Sequence, residues 1–230
     1  MQKEKITAIV LAGGSGARMG AACKKQYLLL KGRPLLFYAL HAFEEGSIDE
    51  IVLVANEEEY CRQEIIEKYG IKKVSQIVPG GAERYDSVYA GLLAAAGSSY
   101  VLIHDGARPF VTQEIISAAV EGAKRYQACA VGMPVKDTVK IADGDGFAVQ
   151  TPKRSLVWQI QTPQAFSYPL ILKAYEHVLE EAPDGITDDA MVVEYGGYAK
   201  VKLLQGSYKN IKITTPEDMV LAEGLLRWQG

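Results

Sequence analysis

Short apolar runs alternate with amphipathic segments through the first half of the chain. The runs have the length of buried strands and lie at residues 6–11, 51–55, 74–78 and 100–104. The segments between and after them carry apolar residues at helical spacing and lie at residues 34–45, 57–69, 83–96 and 112–126. Repeated strand–helix–strand units connect parallel strands by right-handed crossovers. The alternation therefore predicts an α/β fold, Rossmann-like, with a mainly parallel sheet and helices on both faces.

The first apolar run ends in a glycine-rich turn. Gly13, Gly14 and Gly16 follow it closely, and the cations Arg18 and Lys25 come shortly afterwards. Residues without a Cβ let the chain curl tightly, expose a row of backbone N–H groups and let a ligand come close. Such a concavity suits phosphate oxygens, and Arg and Lys add full positive charge to the partial charge of the backbone. The turn therefore predicts a cradle for the phosphates of a nucleoside triphosphate.

Two further polar clusters follow predicted strands. Gly80 and Gly81 come after the run at 74–78, and the sequence His-Asp-Gly-Ala-Arg at 104–108 comes at the end of the run at 100–104. Ligands of open parallel sheets bind at the carboxyl ends of the strands. The two clusters and the glycine turn are therefore expected to share one site.

The common nucleotide-binding and hydrolase motifs do not fit this sequence. A dinucleotide-binding G-x-G-x-x-G would need a third glycine where Met19 stands, and a P-loop lysine would be followed by Ser or Thr, whereas Gln26 follows Lys25. No G-x-S-x-G nucleophile elbow stands at a predicted strand end. The three histidines form no metal-ligand pattern. A phosphate site outside these motif classes is expected.

Composition limits the classes of partner and location. The 230 residues are 48% hydrophobic, enough for a full core, and the formal net charge is −3 with no basic block, so neither nucleic acid nor a membrane is an expected partner. The three cysteines have no C-x-x-C spacing, which favours a reducing, cytoplasmic location. No apolar run is long enough to span a bilayer. We expect one domain over residues 1–230.

The pattern changes in the second half of the chain. Alternating segments at 134–142 and 147–151 flank Asp-Gly-Asp-Gly at 143–146, a strong hairpin signal. We interpret residues 134–157 as an inserted β-arm, called the arm below, that packs on a second subunit or folds back on its own domain.

Helical periodicity returns after the arm. Helices are predicted at 169–181 and 188–195, the latter with Thr187 as its N-cap, and a final helix is predicted to start at 215–218. Short apolar segments at 201–204 and 211–213 are strand candidates.

Several motifs together carry a family resemblance. They are L-A-G-G-x-G-x-R-M-G at 11–20, K-Q-Y-L at 25–28, G-G-x-E-R-x-D-S-V at 80–88, H-D-G-A-R-P at 104–109, P-V-K-D-T-V-K at 134–140, Q-T-P-Q-x-F at 161–166, T-D-D at 187–189 and N-I-K-I-T-T-P-E-D at 210–218. In this order the motifs resemble the 2-C-methyl-D-erythritol 4-phosphate cytidylyltransferases of isoprenoid synthesis. Two positions depart from the family pattern: Ala82 stands where many relatives have a polar or acidic residue, and Lys24 stands where the family usually has proline.

The resemblance implies a reaction between two phosphates. The phosphate of 2-C-methyl-D-erythritol 4-phosphate would attack the α-phosphorus of CTP, with Mg²⁺, and release pyrophosphate in the non-mevalonate isoprenoid precursor pathway. A phosphate monoester is largely dianionic at neutral pH, so no general base is needed. The work of such a site is to bring two polyanions together and to stabilise charge at the α-phosphorus.

The resemblance also implies roles for individual residues. Arg18 and Lys25 would stabilise the transition state, and Arg154 and Lys212 would anchor the acceptor phosphate. The remaining residues implied to bind the nucleotide are Ala12, Gly13, Gly14, Gly16, Gly81, Arg84 and Ser87, and those implied to bind the acceptor are Asp105, Arg108, Thr138 and Thr187. No protein ligand of the metal is assigned. In the family the arm reaches across a homodimer, which would place Arg154 and Thr138 in the partner subunit's site.

Two other functions stay open at the level of sequence. A ribitol 5-phosphate cytidylyltransferase shares the glycine turn, the Lys-Gln pair and N-I-K-I-T-T-P, although Tyr27 and the form H-D-G-A-R-P favour methylerythritol phosphate. A non-catalytic nucleotide-binding regulator is a different class of protein. The four cations Arg18, Lys25, Arg154 and Lys212 argue against it, because a sensor needs no acceptor anchors.

Overall fold

The computed structural model describes residues 4–14, 24–181, 183 and 185–228. The strands are β1 (Ile6–Leu11), β2 (Leu29–Leu30), β3 (Arg33–Pro34), β4 (Glu50–Val54), β5 (Val74–Val78), β6 (Tyr100–Asp105), β7 (Ala128–Pro134), β8 (Ile141–Ala142), β9 (Ala148–Gln150), β10 (Trp158–Ser167) and β11 (Lys202–Gln205). The helices are α1 (Leu35–Glu44), α2 (Glu58–Tyr60, continued by a π-helix at Cys61–Glu67), α3 (Arg84–Ala94), α4 (Gln113–Tyr126), α5 (Tyr168–Glu181), α6 (Asp189–Tyr195) and α7 (Pro216–Trp228). Short 3₁₀ turns lie at Lys25–Tyr27 and Arg154–Leu156.

Seven strands form the central sheet in the order β11-β7-β10-β6-β1-β4-β5. The pairs β6–β1, β1–β4, β4–β5 and β11–β7 are parallel, and β10 is antiparallel to both of its neighbours. The predicted α/β fold with a mainly parallel sheet is therefore confirmed. All six parallel strands point the same way, which brings their carboxyl ends to one edge of the sheet.

Helices cover both faces of this sheet, as predicted. Because side chains alternate along a strand, Val10 of β1 packs in the cluster that contains Leu40 of α1 and Ile116 of α4. Ile9, its neighbour, packs in the opposite cluster with Leu92 of α3. Each face is thus a separate apolar layer, as the near-continuous apolar composition of the parallel strands requires.

The strand β10 was not predicted from the sequence. Its middle reads Gln-Thr-Pro-Gln at 161–164, which has neither an apolar run nor clean alternation. Pairing decides its conformation: Gln164 lies opposite Ile103 of β6 on one side and Ala130 of β7 on the other. The register shifts between Ile160 and Gln164, so residues 161–163 bulge out of the ladder toward the carboxyl ends of the parallel strands.

The C-terminal region forms a third, smaller apolar cluster. Ile213 and Ala222 pack there with Leu30, Leu35 and Phe110. The strand predicted at 211–213 is wrong, because this segment is a loop that is held by a hydrogen bond from the Ile213 N–H to the Ala107 carbonyl, 2.9 Å long. Burial of Ile213 fixes the position of its neighbour Lys212. The final helix begins at Pro216, as predicted.

Within the arm, the strands β8 and β9 pair with each other in a separate two-stranded sheet. The Asp143 carboxylate accepts hydrogen bonds from the N–H groups of Asp145 and Phe147, at 3.1 and 2.9 Å, and so closes the predicted hairpin turn. The strand predicted at 134–142 is shorter than expected, since β7 ends at 134 and β8 spans only Ile141–Ala142. Phe147, Val149 and Leu156 are all more than half exposed.

No helix in the described part of the chain is long and apolar enough to cross a membrane.

Candidate active site

The carboxyl ends of the parallel strands open onto a cavity of about 420 Å³, called the first cavity below. Residues from all three polar clusters that the sequence indicated line it, among them Gly13, Gly14, Gly81, Arg84 and Asp105. Lys25 and Lys212 line the same cavity. The expectation that these clusters share one site therefore agrees with the geometry.

The base of the glycine turn is held by Gln26. This buried side chain donates through Nε2 to the Ala12 carbonyl and to the Gly14 carbonyl, the latter at 3.3 Å. The Ala12 N–H donates to the Val54 carbonyl at 2.7 Å, which continues the ladder between β1 and β4 into the turn. The neutral Gln26 amide thus fixes the carbonyl groups of the turn and leaves the cavity side of the turn to charged groups. Gln26 was not assigned a role from the sequence, although it is part of the K-Q-Y-L motif.

Gly16 and Arg18, the other predicted members of the turn, lie outside the described residues.

A second glycine turn faces the first. The Gly80 N–H donates to Asn56 Oδ1 at 2.8 Å, and the Gly81 N–H donates to Ser87 Oγ at 3.0 Å. A Cβ at position 81 would lie 2.2 Å from the Asp86 Cβ, so only glycine fits there. Ser87 therefore shapes the turn from below, in addition to any contact with a ligand. Asn56, which directly follows β4, is a site residue that the sequence did not reveal.

Asp105 is the centre of a cluster of cations. Lys212 Nζ lies 2.8 Å from Asp105 Oδ2, and the Nε atoms of Arg84 and Arg108 lie 3.8 Å from Oδ1 and Oδ2 respectively. Burial by itself would raise the pKa of Asp105, but Lys212, Arg84 and Arg108 outweigh it and hold that pKa well below its usual range. Asp105 is therefore a hydrogen-bond acceptor that is ionised at neutral pH and surrounded by positive charge.

Arg84 is held from behind by Asp189, a residue that sequence reasoning missed. Its two terminal nitrogens donate to the two carboxylate oxygens of Asp189 at 2.8 and 2.7 Å, and Tyr175 Oη donates to the same carboxylate at 2.6 Å. Asp189 and Tyr175 are completely buried. Burial lowers the pKa of Arg84, but the attraction of Asp189 is larger in sum and raises it, so the guanidinium stays charged. The signal in the sequence was the second aspartate of T-D-D, whose partner in space cannot be read locally.

A second cavity of about 310 Å³ adjoins the first and shares Arg84, Asp105 and Lys212 with it. Its remaining lining consists of Arg108, Ile160, Gln161, Thr162, Gln164, Thr187 and Asp188. The two cavities thus meet at one carboxylate and two cations, which is the arrangement expected where two anionic groups are brought together.

The Arg108 guanidinium has a hydrogen-bond partner at one terminal nitrogen but none at Nε among the described residues. One terminal nitrogen donates to the Asn210 carbonyl at 2.8 Å, while its buried Nε–H has no hydrogen-bond partner among the described residues. A buried guanidinium N–H without a partner costs free energy, and an oxygen-rich ligand would accept from it. The predicted placement of Arg108 beside an acceptor therefore agrees with the second cavity.

His104 holds the turn that carries Asp105 and Arg108. Its Nε2 lies 3.2 Å from the Arg108 carbonyl, which can only accept, so Nε2 carries the proton. Nδ1 then accepts from the Thr162 hydroxyl at 3.1 Å, and Thr162 Oγ1 accepts from the Asp105 N–H at 3.1 Å. Burial lowers the pKa of His104 to about 4, so the ring is neutral at physiological pH. His104 is a structural link between β6 and β10 and has no free nitrogen for catalysis.

The predicted role of Thr187 as an N-cap is wrong. The cap of α6 is Asp188, whose carboxylate accepts from the Met191 N–H at 2.9 Å. Asp188 also accepts from Gln164 Nε2 at 3.0 Å, so one carboxylate both caps the helix and joins it to β10. Thr187 is left to line the second cavity.

Thr138 and Arg154 are not brought to either cavity within one chain. Both are exposed residues of the arm, and Arg154 donates to the Lys136 carbonyl at 3.1 Å. Of the predicted site residues that are described, the structure therefore brings together those of the main sheet and leaves these two apart.

Comparisons with known proteins identify the family of the chain. A family model for 2-C-methyl-D-erythritol 4-phosphate cytidylyltransferase matches residues 6–228. The 2-C-methyl-D-erythritol 4-phosphate cytidylyltransferase of Lachnospira eligens is 52% identical over 220 residues, which cover 94% of this chain and 96% of the relative. That of Caldanaerobacter subterraneus subsp. tengcongensis is 49% identical and covers 96% of this chain and 99% of the relative.

Solved structures with related names also superpose on this chain over nearly its full length. The 4-diphosphocytidyl-2C-methyl-D-erythritol synthase of Anaerococcus prevotii superposes with a TM-score of 0.85 at 38% identity, covering 97% of this chain and 96% of the other. The 2-C-methyl-D-erythritol 4-phosphate cytidylyltransferase of Thermus thermophilus superposes with a TM-score of 0.77 at 30% identity, covering 95% and 98%. The chain belongs to the 2-C-methyl-D-erythritol 4-phosphate cytidylyltransferase family, a family of nucleotidyltransferase enzymes.

Proposed function

We propose that this enzyme transfers CMP from CTP to 2-C-methyl-D-erythritol 4-phosphate and releases pyrophosphate, a step of the non-mevalonate isoprenoid precursor pathway. The observation that carries the proposal is the junction of two cavities at Asp105, Arg84 and Lys212. The first cavity has the glycine turns that suit a nucleoside triphosphate. The second has the buried donor of Arg108, which suits a phosphorylated polyol.

Positioning and charge explain the chemistry. A dianionic phosphate oxygen of the acceptor attacks the α-phosphorus of CTP, an O–P bond forms, and the bond from the α-phosphorus to the bridging oxygen of the departing pyrophosphate breaks. Lys25, together with Arg18, stabilises the negative charge that builds up on the α-phosphoryl oxygens. No proton has to be removed from the nucleophile, which agrees with a neutral and fully engaged His104.

The nucleotide is held by backbone and by fixed side chains. The backbone of Ala12, Gly13, Gly14 and Gly16 cradles the triphosphate, and Gly81 and Ser87 hold the cytidine. Arg84 contacts the cytidine, and Asp189 orients it by accepting one hydrogen bond from each of its terminal nitrogens, which leaves further N–H donors for the ligand.

The acceptor occupies the second cavity. Asp105 accepts a hydrogen bond from an acceptor hydroxyl, Arg108 and Lys212 neutralise its phosphate, and Thr187 donates at the rim. Lys212 is suited to lie between the two anions because it lines both cavities while it remains 2.8 Å from Asp105.

The described residues fit a divalent cation that is held mainly by the nucleotide. Among them, no cluster of three or more His, Cys, Asp or Glu side chains could hold a metal ion by itself. Asp105 is an ionised carboxylate on the wall of the first cavity, and Mg²⁺ is commonly bound by one or two carboxylates plus phosphate oxygens. Asp105 would hold Mg²⁺ from the protein side, and the ion would supply charge neutralisation for the triphosphate.

We further propose a homodimer formed through the arm, residues 134–157, as an insertion in a single domain that spans 1–230. The exposed apolar side chains Phe147, Val149 and Leu156 support a partner for this hairpin. Arg154 and Thr138 would then complete the second cavity of the partner subunit, and Arg154 would anchor the acceptor phosphate there. A cytoplasmic location is proposed with it, supported by the free thiols of Cys61 and Cys129.

One experiment tests the reaction. Pyrophosphate release is measured from the purified protein with CTP and Mg²⁺, and with 2-C-methyl-D-erythritol 4-phosphate or ribitol 5-phosphate as acceptor in separate reactions. Release only with the methylerythritol phosphate is the expected result. Release only with ribitol phosphate would replace the substrate, and CTP binding with no release in either reaction would favour a nucleotide-binding regulator.

A further inference from the structure

The 3₁₀ turn Lys25–Tyr27 carries the proposed transition-state lysine, and one carboxylate contacts the chain on both sides of it. Before the lysine, Lys24 Nζ forms an ion pair with Glu57 Oε1. After it, the Tyr27 hydroxyl donates to Glu57 Oε2 at 2.9 Å. Between the two, Gln26 is fixed on the glycine turn. Glu57 is therefore placed to fix the backbone from which the Lys25 side chain extends.

Glu57 comes from a rigid part of the fold. It lies two residues after the buried Ala55 and directly before α2. Its neighbour Asn56 already joins the two glycine turns, through a 2.8 Å bond to the Gly80 N–H and a 3.5 Å contact with the Gly13 carbonyl. The pair Asn56-Glu57 at the end of β4 thus connects the cradle and the lysine turn to the same strand.

Lys24 precedes the turn in an extended conformation that a proline ring could also adopt. Its φ is −64° and its ψ is 140°, and a φ of about −65° is the value that a proline ring imposes. Its N–H donates to no described residue, whereas its carbonyl accepts the first hydrogen bond of the turn, from the Tyr27 N–H at 3.0 Å. The ion pair with Glu57 thus tethers the side chain of the residue whose carbonyl closes the turn.

The Lys24–Glu57 pair is too exposed to matter much for global stability. The side chains are 31% and 34% exposed, and pairs at such sites contribute little to the free energy of unfolding. Burial would raise the pKa of Glu57, but its hydrogen bonds to Lys24 and Tyr27 outweigh it and lower the pKa, so the carboxylate is ionised at neutral pH. A pair with a small effect on stability can still select one conformation of a short turn.

We propose that Glu57 is a positioning residue for Lys25, and that it acts through Lys24 in front of the turn and through Tyr27 behind it. This role rests on the proposed cytidylyl transfer for its kinetic consequence, but its structural consequence can be measured without any substrate. Lys24 thereby gains a structural role, in which its ion-paired side chain restrains the backbone directly before Lys25.

The structural experiment is hydrogen–deuterium exchange of the free, full-length protein over the segment 24–30. The Tyr27 and Leu28 N–H groups, which close the turn at 3.0 and 3.1 Å, are expected to exchange at least about tenfold faster in Glu57→Ala and Lys24→Ala. Lys24→Pro is expected to recover most of the protection, because the ring fixes φ near its present value. Glu58→Ala is the matched control, since Glu58 is the next acidic residue, is exposed and pairs only with Arg62 among the described residues.

The kinetic experiment uses the same variants with CTP, Mg²⁺ and the methylerythritol phosphate. Glu57→Ala is expected to lower kcat about 10- to 100-fold while the KM for CTP changes less than about threefold, since misplacement of Lys25 affects the transition state more than binding. Glu57→Gln keeps an acceptor for Tyr27 and loses the ion pair, so its kcat should lie between those of Glu57→Ala and the wild type. Lys24→Pro should recover kcat relative to Lys24→Ala, and Glu58→Ala should retain wild-type kcat.

The outcomes separate this role from the proposed function. If the wild type shows no turnover, the proposed function fails, while faster exchange in Glu57→Ala and its recovery in Lys24→Pro would still support the tether. If exchange in the turn is unchanged in Glu57→Ala, or Lys24→Pro is no better protected than Lys24→Ala, the positioning role is wrong. An equal fall of kcat in all of the variants, together with a lowered Tm, would also overturn the positioning role, because these changes together indicate general destabilisation.

Discussion

The two cavities of this enzyme are built in different ways. The first cavity is formed by backbone turns that neutral side chains hold from below, namely Gln26, Asn56 and Ser87. The second cavity is formed by charged side chains from distant elements, and one buried donor of Arg108 has no partner among the described residues. A cradle for phosphate oxygens must keep its shape before the ligand arrives, whereas a charged cavity is satisfied only once its ligand is bound.

The two cavities also differ in whether a single chain supplies all of their predicted residues. Apart from Gly16 and Arg18, which lie outside the described residues, the predicted members of the first cavity come together within one chain. Two predicted members of the second cavity, Thr138 and Arg154, lie on the arm and away from it. We infer that nucleotide binding is a property of the single chain and that acceptor binding is a property of the assembly.

The largest effect is expected at Lys25, on the wall of the first cavity. Lys25→Ala should lower kcat by about 10³-fold, because it removes a cation that is most strongly engaged in the transition state. CTP affinity should fall far less, since the backbone cradle stays in place. Steady-state kinetics and CTP titration measure the two quantities. An equal fall of both would mean that Lys25 binds the ground state, and the two cavities would then differ less than proposed.

Complementation tests whether the second cavity is shared between subunits. Lys25→Ala and Arg154→Ala should each be nearly inactive alone, but subunit exchange between them should restore about a quarter of wild-type activity. The reason is statistical: half of the dimers are mixed, and each mixed dimer has one site with both residues intact. A mixture no more active than its two components would place Arg154 in its own chain's site or remove it from the reaction.

A substitution of Asp189 tests how strongly Arg84, which lines both cavities, depends on its buried ion pair. Asp189→Ala leaves the Arg84 guanidinium without its bidentate partner, and we expect a loss of about 4 kcal/mol in the free energy of unfolding, as for other broken buried pairs. Urea denaturation measures this loss. Tyr195→Phe is the matched control, because Tyr195 donates to Glu181 at an exposed position and its loss should cost less than about 0.5 kcal/mol.

A smaller effect is expected from His104, which belongs to the second cavity's scaffold. Its folded-state pKa, about 4, is below the ordinary value of 6.5, so the unfolded chain binds more protons between these two pH values. Stability should therefore be fully present above pH about 6.5 and decline by up to about 3 kcal/mol as the pH falls toward 4. Denaturation curves at several pH values, compared with those of His104→Gln, measure the contribution of His104 to the pH dependence of stability. An equal slope in the variant would assign the pH dependence to other groups.

Local pattern predicted much of this fold and part of its site. The apolar runs at 6–11 and 74–78 coincide with β1 and β5, and the glycine turns and Asp105 converge as expected. These features were readable because apolar periodicity and glycine content act within a few residues. The strand β10 was not readable, because its polar middle takes its conformation from β6 and β7 on either side.

The residues that position the site residues could not be predicted from the sequence for the same reason. Arg84 and Asp189 are 105 residues apart, and neither sequence neighbourhood indicates the other. Thr, Asp and Asp at 187–189 are all good helix caps, so the sequence predicts Thr187 as the cap, and only the backbone geometry selects Asp188. Glu57 was expected as the first residue of a helix, and its two contacts with the lysine turn exist only in three dimensions.

Residue pattern alone was enough to predict the alternation of strands and helices, the edge of the sheet where the candidate site lies and the enzyme family, because each depends on local sequence. The tertiary structure decided which neutral groups hold the cradle, which carboxylate orients each cation and where one chain's site stops. These depend on contacts between segments that are far apart in the sequence, and the free energy of such contacts is set by packing and burial that no local pattern records.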